Sequence, residues 1–208
     1  MSGAVALVDE LRPAIGDDRV LAAIAAVPRD AFVPASLRRH AWDNTALAIG
    51  CGQTISQPLV VARMAELLDV HPGDRVLDVG TGSGYHAAVL AALGASVWSI
   101  ERFAELSAGA ARALRAAGVE GVELVVGDGW AGLPEHAPYD GINVAAATPD
   151  EALDGLEAQL ADGGRLVAPL DGFEQRLVLA RRTGDDVRRR LLEPVRFVPL
   201  VRGQPGRA

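Results

Sequence analysis

The sequence predicts an α/β protein: a mostly parallel sheet flanked by helices, with an N-terminal helical cap and antiparallel C-terminal strands. Three observations predict it. From residue 58 onward, helical stretches of about 10 to 15 residues alternate with short valine-rich runs, the pattern of strands buried on both faces of a parallel sheet. The first fifty residues carry apolar side chains at helical spacing instead. Near the C-terminus, two alternating runs flank a turn signal, Thr183-Gly184-Asp185-Asp186, as in a hairpin.

The elements follow in order. Val5, Leu7, Val8 and Leu11, then Val20, Leu21, Ile24 and Val27, define two helical faces, with Asp17 and Asp18 where an N-terminal turn favours acid. Pro28 and Pro34 bracket a corner through Arg29 and Phe32, and 36–41 forms another short helix. A helix over 58–68 buries Val61, Met64, Ala65 and Leu68, and His71-Pro72-Gly73-Asp74 turns the chain into a strand at 75–79. Glycines and an alanine-rich helix to about Leu93 follow, then a strand at 96–100 and a helix over 103–117 ended by Gly118. Strands at 122–126 and 141–144, a helix at 150–160 and a strand at 164–168 complete the alternating part. The tail adds strands at 176–182 and 187–191 and a third run at 195–201. No repeat or low-complexity linker divides the chain, so 1–208 is read as one domain with segments 1–57, 58–170 and 171–208.

Composition narrows the chemistry. A chain of 208 residues that is 50% hydrophobic can bury a core without covalent staples, about 70% of its unfolded surface. The lone cysteine, Cys51, forms no internal disulfide and reads as a small buried residue. All 20 basic residues are arginine, which removes Schiff-base lysine and the P-loop lysine from consideration. A net charge of −7 argues against a nucleic-acid partner. Asp9 and Glu10 follow the first apolar stretch with no basic region before it, and the uncharged run 87–100 is too short to span a bilayer. A cytoplasmic protein without a membrane partner is expected.

The informative segment is Val76-Leu77-Asp78-Val79-Gly80-Thr81-Gly82-Ser83-Gly84-Tyr85. Alternate glycines after a strand allow a tight turn and close backbone approach to a ligand. The spacing differs from a dinucleotide site, whose third glycine would fall at Tyr85. Asp78 before the loop would repel a pyrophosphate but suits a cationic ligand such as S-adenosylmethionine, which carries an ammonium and a sulfonium. Glu101 ends the next strand 21 residues after Gly80, where a carboxylate can accept both ribose hydroxyls. Asp128 follows the third strand and could meet the adenine amine. The competing reading has Asp78 and Asp128 capping turns and Glu101 pairing with Arg102.

These residues lie within a longer pattern. Val27-Pro28-Arg29 with Phe32-Val33-Pro34, Gly52-Gln53-Thr54-Ile55-Ser56-Gln57-Pro58, the glycine loop, Ser99-Ile100-Glu101-Arg102, Gly127-Asp128-Gly129, Gly163-Gly164-Arg165-Leu166-Val167 and Phe197-Val198-Pro199-Leu200 occur in this order across almost the whole chain. The pattern resembles the protein-L-isoaspartate O-methyltransferase family, and the Gln-Thr-Ile-Ser-Gln-Pro run is that family's own mark. The resemblance implies a Rossmann-like methyltransferase fold, with 58–170 as cofactor-binding core and the end of 1–57 as substrate-side loop. It implies methyl transfer from S-adenosylmethionine, leaving S-adenosylhomocysteine, to the free α-carboxylate of isoaspartyl residues in damaged polypeptides. The ester then closes to a succinimide that hydrolyses partly to aspartate.

Ser56 matches the family's active-site serine and is the catalytic and substrate-binding candidate. An N-cap role before Pro58 is compatible with that. The cofactor-binding candidates are Gln53, Thr54, Ile55, Asp78, Gly80, Thr81, Gly82, Glu101, Arg102, Asp128 and Gly129; Val201 and Arg202 join Ser56 on the substrate side. Two related readings stay open: methylation of aspartate in a dedicated peptide precursor to form an aspartimide, and a cofactor-binding regulator without catalysis. A monomer is expected.

Some positions depart from the family pattern. His86 replaces the usual glutamine and reads as a helix-surface residue, while Asn143 to Ala147 replace an apolar-then-threonine strand end. That segment also lacks the Asn/Asp-Pro-Pro-Tyr motif of amino-methylating DNA enzymes. His40, His71 and His136 lack metal-ligand spacing, so no metal is expected. Arg188-Arg189-Arg190 reads as a charged sheet edge or, alternatively, as a patch steering acidic polypeptides.

Overall fold

The computed structural model describes residues 3–203. The cap consists of α1 (Gly3–Leu11), α2 (Asp18–Ala26) and 3₁₀ turns at Arg29–Phe32 and Ala35–His40. A hairpin of β1 (Leu47–Gly50) and β2 (Gln53–Ile55) leads into α3 (Pro58–Leu68). The alternating part is β3 (Arg75–Val79), α4 (Tyr85–Ala92), β4 (Ser96–Glu101), α5 (Ala104–Ala116), β5 (Val122–Val126), β6 (Tyr139–Val144), α6 (Asp150–Glu157) and β7 (Leu160–Leu170). Two further strands follow, β8 (Arg176–Thr183) and β9 (Asp186–Pro194).

Local chemistry sets several boundaries. Asp17 caps α2, its carboxylate accepting from the Arg19 amide at 2.8 Å. Pro58 opens α3 at its first turn, where a missing N–H costs nothing. Gly50, Cys51 and Gly52 all have positive φ and turn β1 into β2. The sequence reading lacked this hairpin, although Gly-Cys-Gly is a visible turn signal.

Seven strands form one sheet in the order β5-β4-β3-β6-β7-β8-β9, parallel from β5 to β7 and antiparallel through β8 and β9. Strand order reverses between β3 and β6, which opens a crevice at their carboxyl ends. Side chains alternate across the sheet: Val76, Val97 and Val167 join α2, α3 and α4 in one apolar layer. Leu77, Val79, Ile142, Val144 and Leu166 face the other layer with Leu153 and Leu156 of α6.

The expected third tail strand does not form. Residues 195–200 leave the ladder and cross to the end of β6, meeting it by one parallel bridge, Ala147 to Pro199. The Ala147 amide donates to Val198 at 2.8 Å and its carbonyl accepts from Leu200 at 2.8 Å. Pro199 has no N–H to extend a ladder. On edge strand β9, Arg189 binds Asp150, Asp154 and Glu157 of α6, with Glu157 at 2.6 Å. The middle arginine of the triplet therefore clamps a helix rather than facing solvent as a steering charge. Among the described residues, no helix is long and apolar enough to cross a membrane.

Candidate active site

The crevice at the switch point is a cavity of about 1050 Å³. The glycine loop forms its floor. Gly80 (φ 93°) and Gly82 (φ 53°) take left-handed backbone, which glycine adopts without steric cost, and both line the cavity with Thr81. Gly84 serves packing instead: a Cβ there would lie 3.1 Å from the Ala110 side chain of α5.

Glu101 ends β4 with its side chain buried against the loop. One oxygen accepts from the Gly82 amide at 2.9 Å and the other from the Phe103 amide at 3.0 Å. A carboxylate has about four acceptor directions, so capacity remains on both oxygens for a ligand. Arg102 and Phe103 line the same wall. The alternative pairing of Glu101 with Arg102 does not form.

Asp78 sits elsewhere than the sequence suggested. It is fully buried behind the loop and is not among the cavity-lining residues. The strand register places Ser99, Asp78 and Asn143 side by side on β4, β3 and β6. Ser99 Oγ donates to Asp78 Oδ2 at 2.7 Å and Asn143 Nδ2 donates to Oδ1 at 2.7 Å. Thr81 Oγ1 lies 2.6 Å from Ser99 Oγ, so the row reaches the loop. Burial pushes the Asp78 carboxyl above its ordinary pKa, opposed by these two hydrogen bonds. Its position therefore braces the loop from behind rather than presenting a charge to the cavity.

The row ends at His86, which is buried rather than on a helix surface. Tyr85 to Leu90 are all buried because α4 is enclosed between the sheet and the cap helices. The uncharged run from Ala87 to Leu93 was the sequence signal for this. Asn143 Nδ2, a donor only, lies 3.2 Å from His86 Nδ1, so Nδ1 accepts and the proton resides on Nε2. Burial pulls the His86 pKa down to about 3, which keeps the ring neutral. The two departures from the family pattern are thus in contact with each other.

The facing wall comes from β2 and the residues after it: Gln53, Thr54, Ile55 and Ser56 all line the cavity. Gln57, not Ser56, occupies the N-cap position of α3, and it makes no side-chain cap bond. Ser56, one residue before the cap, lines the cavity. The crossing segment 194–201 closes a third side, Val201 included, and Arg202 instead stacks over Trp130 at 5.8 Å. Asp128 is also outside the cavity lining. It caps the turn at Gly129–Ala131 through the Trp130 amide at 3.0 Å and accepts from the Gly203 amide at 2.6 Å. Gly129 does line the cavity, and a Cβ there would lie 2.6 Å from Val79 Cγ1. Sequence reasoning missed Thr45, Val60 and Val61, which line the cavity without a motif of their own, and Tyr85 and His86, which line it at the end of the glycine loop.

Cys51 is exposed at the hairpin turn, contrary to the buried position expected for it. Desolvation of the thiol and the neighbouring Glu105 carboxylate raise its pKa. No cluster of three or more His, Cys, Asp or Glu suited to a metal occurs among the described residues.

A switch-point crevice with a glycine loop after the central strand and an acid ending its neighbour defines a Rossmann-like methyltransferase. The sequence model described as protein-L-isoaspartate(D-aspartate) O-methyltransferase matches residues 3–205, and the chain belongs to that family. It is 52% identical over 189 residues to the protein-L-isoaspartate O-methyltransferase of Aeromonas hydrophila, covering 91% of this chain and 92% of that one. A solved protein-L-isoaspartate O-methyltransferase superposes with TM-score 0.84 at 28% identity, over 94% of this chain and 65% of that one. A Plasmodium falciparum structure described as a β-aspartate methyltransferase, in complex with S-adenosyl-L-homocysteine, shares the fold with TM-score 0.84. It is 23% identical and covers 98% of this chain and 100% of that one.

Proposed function

We infer that the chain transfers the methyl group of S-adenosylmethionine to the free α-carboxylate of L-isoaspartyl residues in damaged polypeptides, initiating their repair. The observation that carries the reading is that the Ser56 run faces the glycine loop and Glu101 across one cavity. Its volume, about 1050 Å³, accommodates a nucleoside cofactor and the reacting end of a peptide together.

The residues present fit the cofactor. Glu101 retains acceptor capacity for two vicinal hydroxyls, and Gly80 and Gly82 let the backbone come close. Gly129 leaves room where any side chain would strike Val79. When bound, S-adenosylmethionine supplies an electrophilic methyl on its sulfonium. Gln53, Thr54 and Ile55 wall the cofactor side, and Arg102 stands beside Glu101. Asp78 and Asp128 act on the cofactor through the loops they brace.

The chain's remaining tasks are binding, orientation and exclusion of water. A carboxylate with an ordinary pKa near 4 is already ionised at neutral pH, so no general base is required. Ser56 donates one hydrogen bond that orients the attacking oxygen without competing as a strong nucleophile. The segment from Pro194 to Val201 shields the pair from water on the third side, and Arg202, the next residue, lies outside the lining against Trp130.

The reading includes a cytoplasmic monomer of one domain, acting on isoaspartyl polypeptides with neither nucleic acid nor membrane as partner. Its support is the net charge of −7 and the lone cysteine. The test is methyl transfer from labelled S-adenosylmethionine to paired peptides differing only in Asp or isoAsp. Label on the isoAsp peptide alone is expected. Label on the Asp peptide alone, or cofactor binding with no transfer, would overturn the reading.

A further inference from the structure

Arg29, in the Val-Pro-Arg run, lies outside the cavity lining. Its side chain is fully buried. Buried arginines are ordinarily matched by a carboxylate, but the hydrogen bonds of Arg29 all go to backbone carbonyls. Nε donates to Ala41 at 2.9 Å, and Nη2 donates to Ser56 at 2.8 Å and to Thr45 at 3.4 Å. Nη1 has no partner. The guanidinium carbon lies 4.6 Å from the centre of the Tyr85 ring, a cation–π contact that does not neutralise the charge. Burial lowers its pKa to about 10, so it remains a cation at neutral pH.

Three of the four residues it touches belong to the cavity. Ser56, Thr45 and Tyr85 all line it, whereas Arg29 lies one layer behind. A fixed positive charge without a carboxylate partner, hydrogen-bonded to the backbone carbonyl of Ser56 behind the cavity wall, is a standing attraction for an anion placed beside that residue. The same fork ties the Ser56 carbonyl to the 3₁₀ corner and so sets where that residue's hydroxyl points.

We propose that Arg29 is a positioning residue for the substrate carboxylate, adding through Ser56 a buried positive charge behind the wall to the arginines, Arg102 and Arg196, that line the cavity itself. The inference rests on the isoaspartyl-carboxylate reading of the site. It states that the charge of Arg29, beyond its hydrogen bonds, selects an anionic over a neutral group.

The test separates charge from scaffold. An isoaspartyl peptide and its α-carboxamide counterpart are compared, the first by its KM and the second as a competitive inhibitor. Arg29→Gln keeps one donor for the Ser56 carbonyl and removes the charge. It should raise KM for the carboxylate peptide about tenfold or more while leaving carboxamide inhibition and S-adenosylhomocysteine affinity within about twofold. Arg29→Lys should retain most of the carboxylate preference. Should Arg29→Gln not fold, citrulline at position 29 supplies the neutral isostere, its ureido oxygen taking the unpartnered Nη1 position. A synthetic 1–50 segment joined at Cys51 would give the full chain. Equal weakening of both peptides in either neutral variant overturns the proposal and makes Arg29 a strut. Failure of the unaltered chain to methylate any isoaspartyl peptide sinks the substrate reading instead.

Discussion

His86→Gln should flatten the acid side of the stability profile. Folded His86 has a pKa of about 3 against an ordinary 6.5, because burial disfavours its charged form. Between pH 7 and 5 the folded ring therefore takes up almost no proton, while the unfolded chain's imidazole becomes nearly fully charged. Stability rises with pH wherever the unfolded state holds more protons, so this group costs the fold stability as pH falls through 6.5. The loss from pH 7 to 5 is about 2 kcal/mol. For a chain of this size that corresponds to roughly 4 to 8 °C in Tm. Glutamine carries no titrating proton and can still meet Asn143. Asp78 acts with the opposite sign: its raised pKa means that the folded state binds a proton before the unfolded state does. That contribution is shared by both proteins and cancels in the comparison. Thermal melts of the two proteins at pH 5, 6 and 7 are the assay. Parallel Tm curves would refute the buried, neutral histidine.

Three further outcomes are expected. Ser56→Ala should retain S-adenosylhomocysteine affinity within about twofold and lose about 10- to 100-fold in turnover, the worth of a hydrogen bond to a charged group; unchanged turnover would remove its orienting role. Glu101→Gln should weaken cofactor binding by a similar factor in calorimetry, with the fold intact, and unaltered affinity would relocate the ribose site. Arg189→Ala should cost about 1 kcal/mol, since its bridges to α6 are partly exposed, and lower Tm by roughly 2 to 4 °C without changing cofactor affinity.

Much of the site was legible because motif residues are held by local backbone. The glycine loop follows directly from β3, Glu101 ends β4, and the Gln-Thr-Ile-Ser run forms one wall through its own hairpin. Less legible were residues whose meaning depends on a neighbour distant in sequence. His86 looked like a surface residue and Asn143 an unexplained departure until parallel pairing put Asn143 beside Asp78, under α4. Asp78 and Asp128 looked like ligands because they occupy strand ends, yet strand-end position does not say which way a carboxylate faces.

By itself the sequence determined the α/β class, the order of the helices and core strands, and the family pattern with Ser56 and Glu101 within it. Periodicity, turn chemistry and motif spacing are local properties that a single chain carries openly. Only the tertiary structure decided that residues 195–200 cross to β6 instead of pairing as a strand. It also decided that Asp78 braces the loop from behind and that Arg29 stands buried behind Ser56 with only backbone carbonyls for partners. These are outcomes of burial, set by what surrounds a group in space, and burial alone determines whether a charge is solvated, paired or left to act on a ligand.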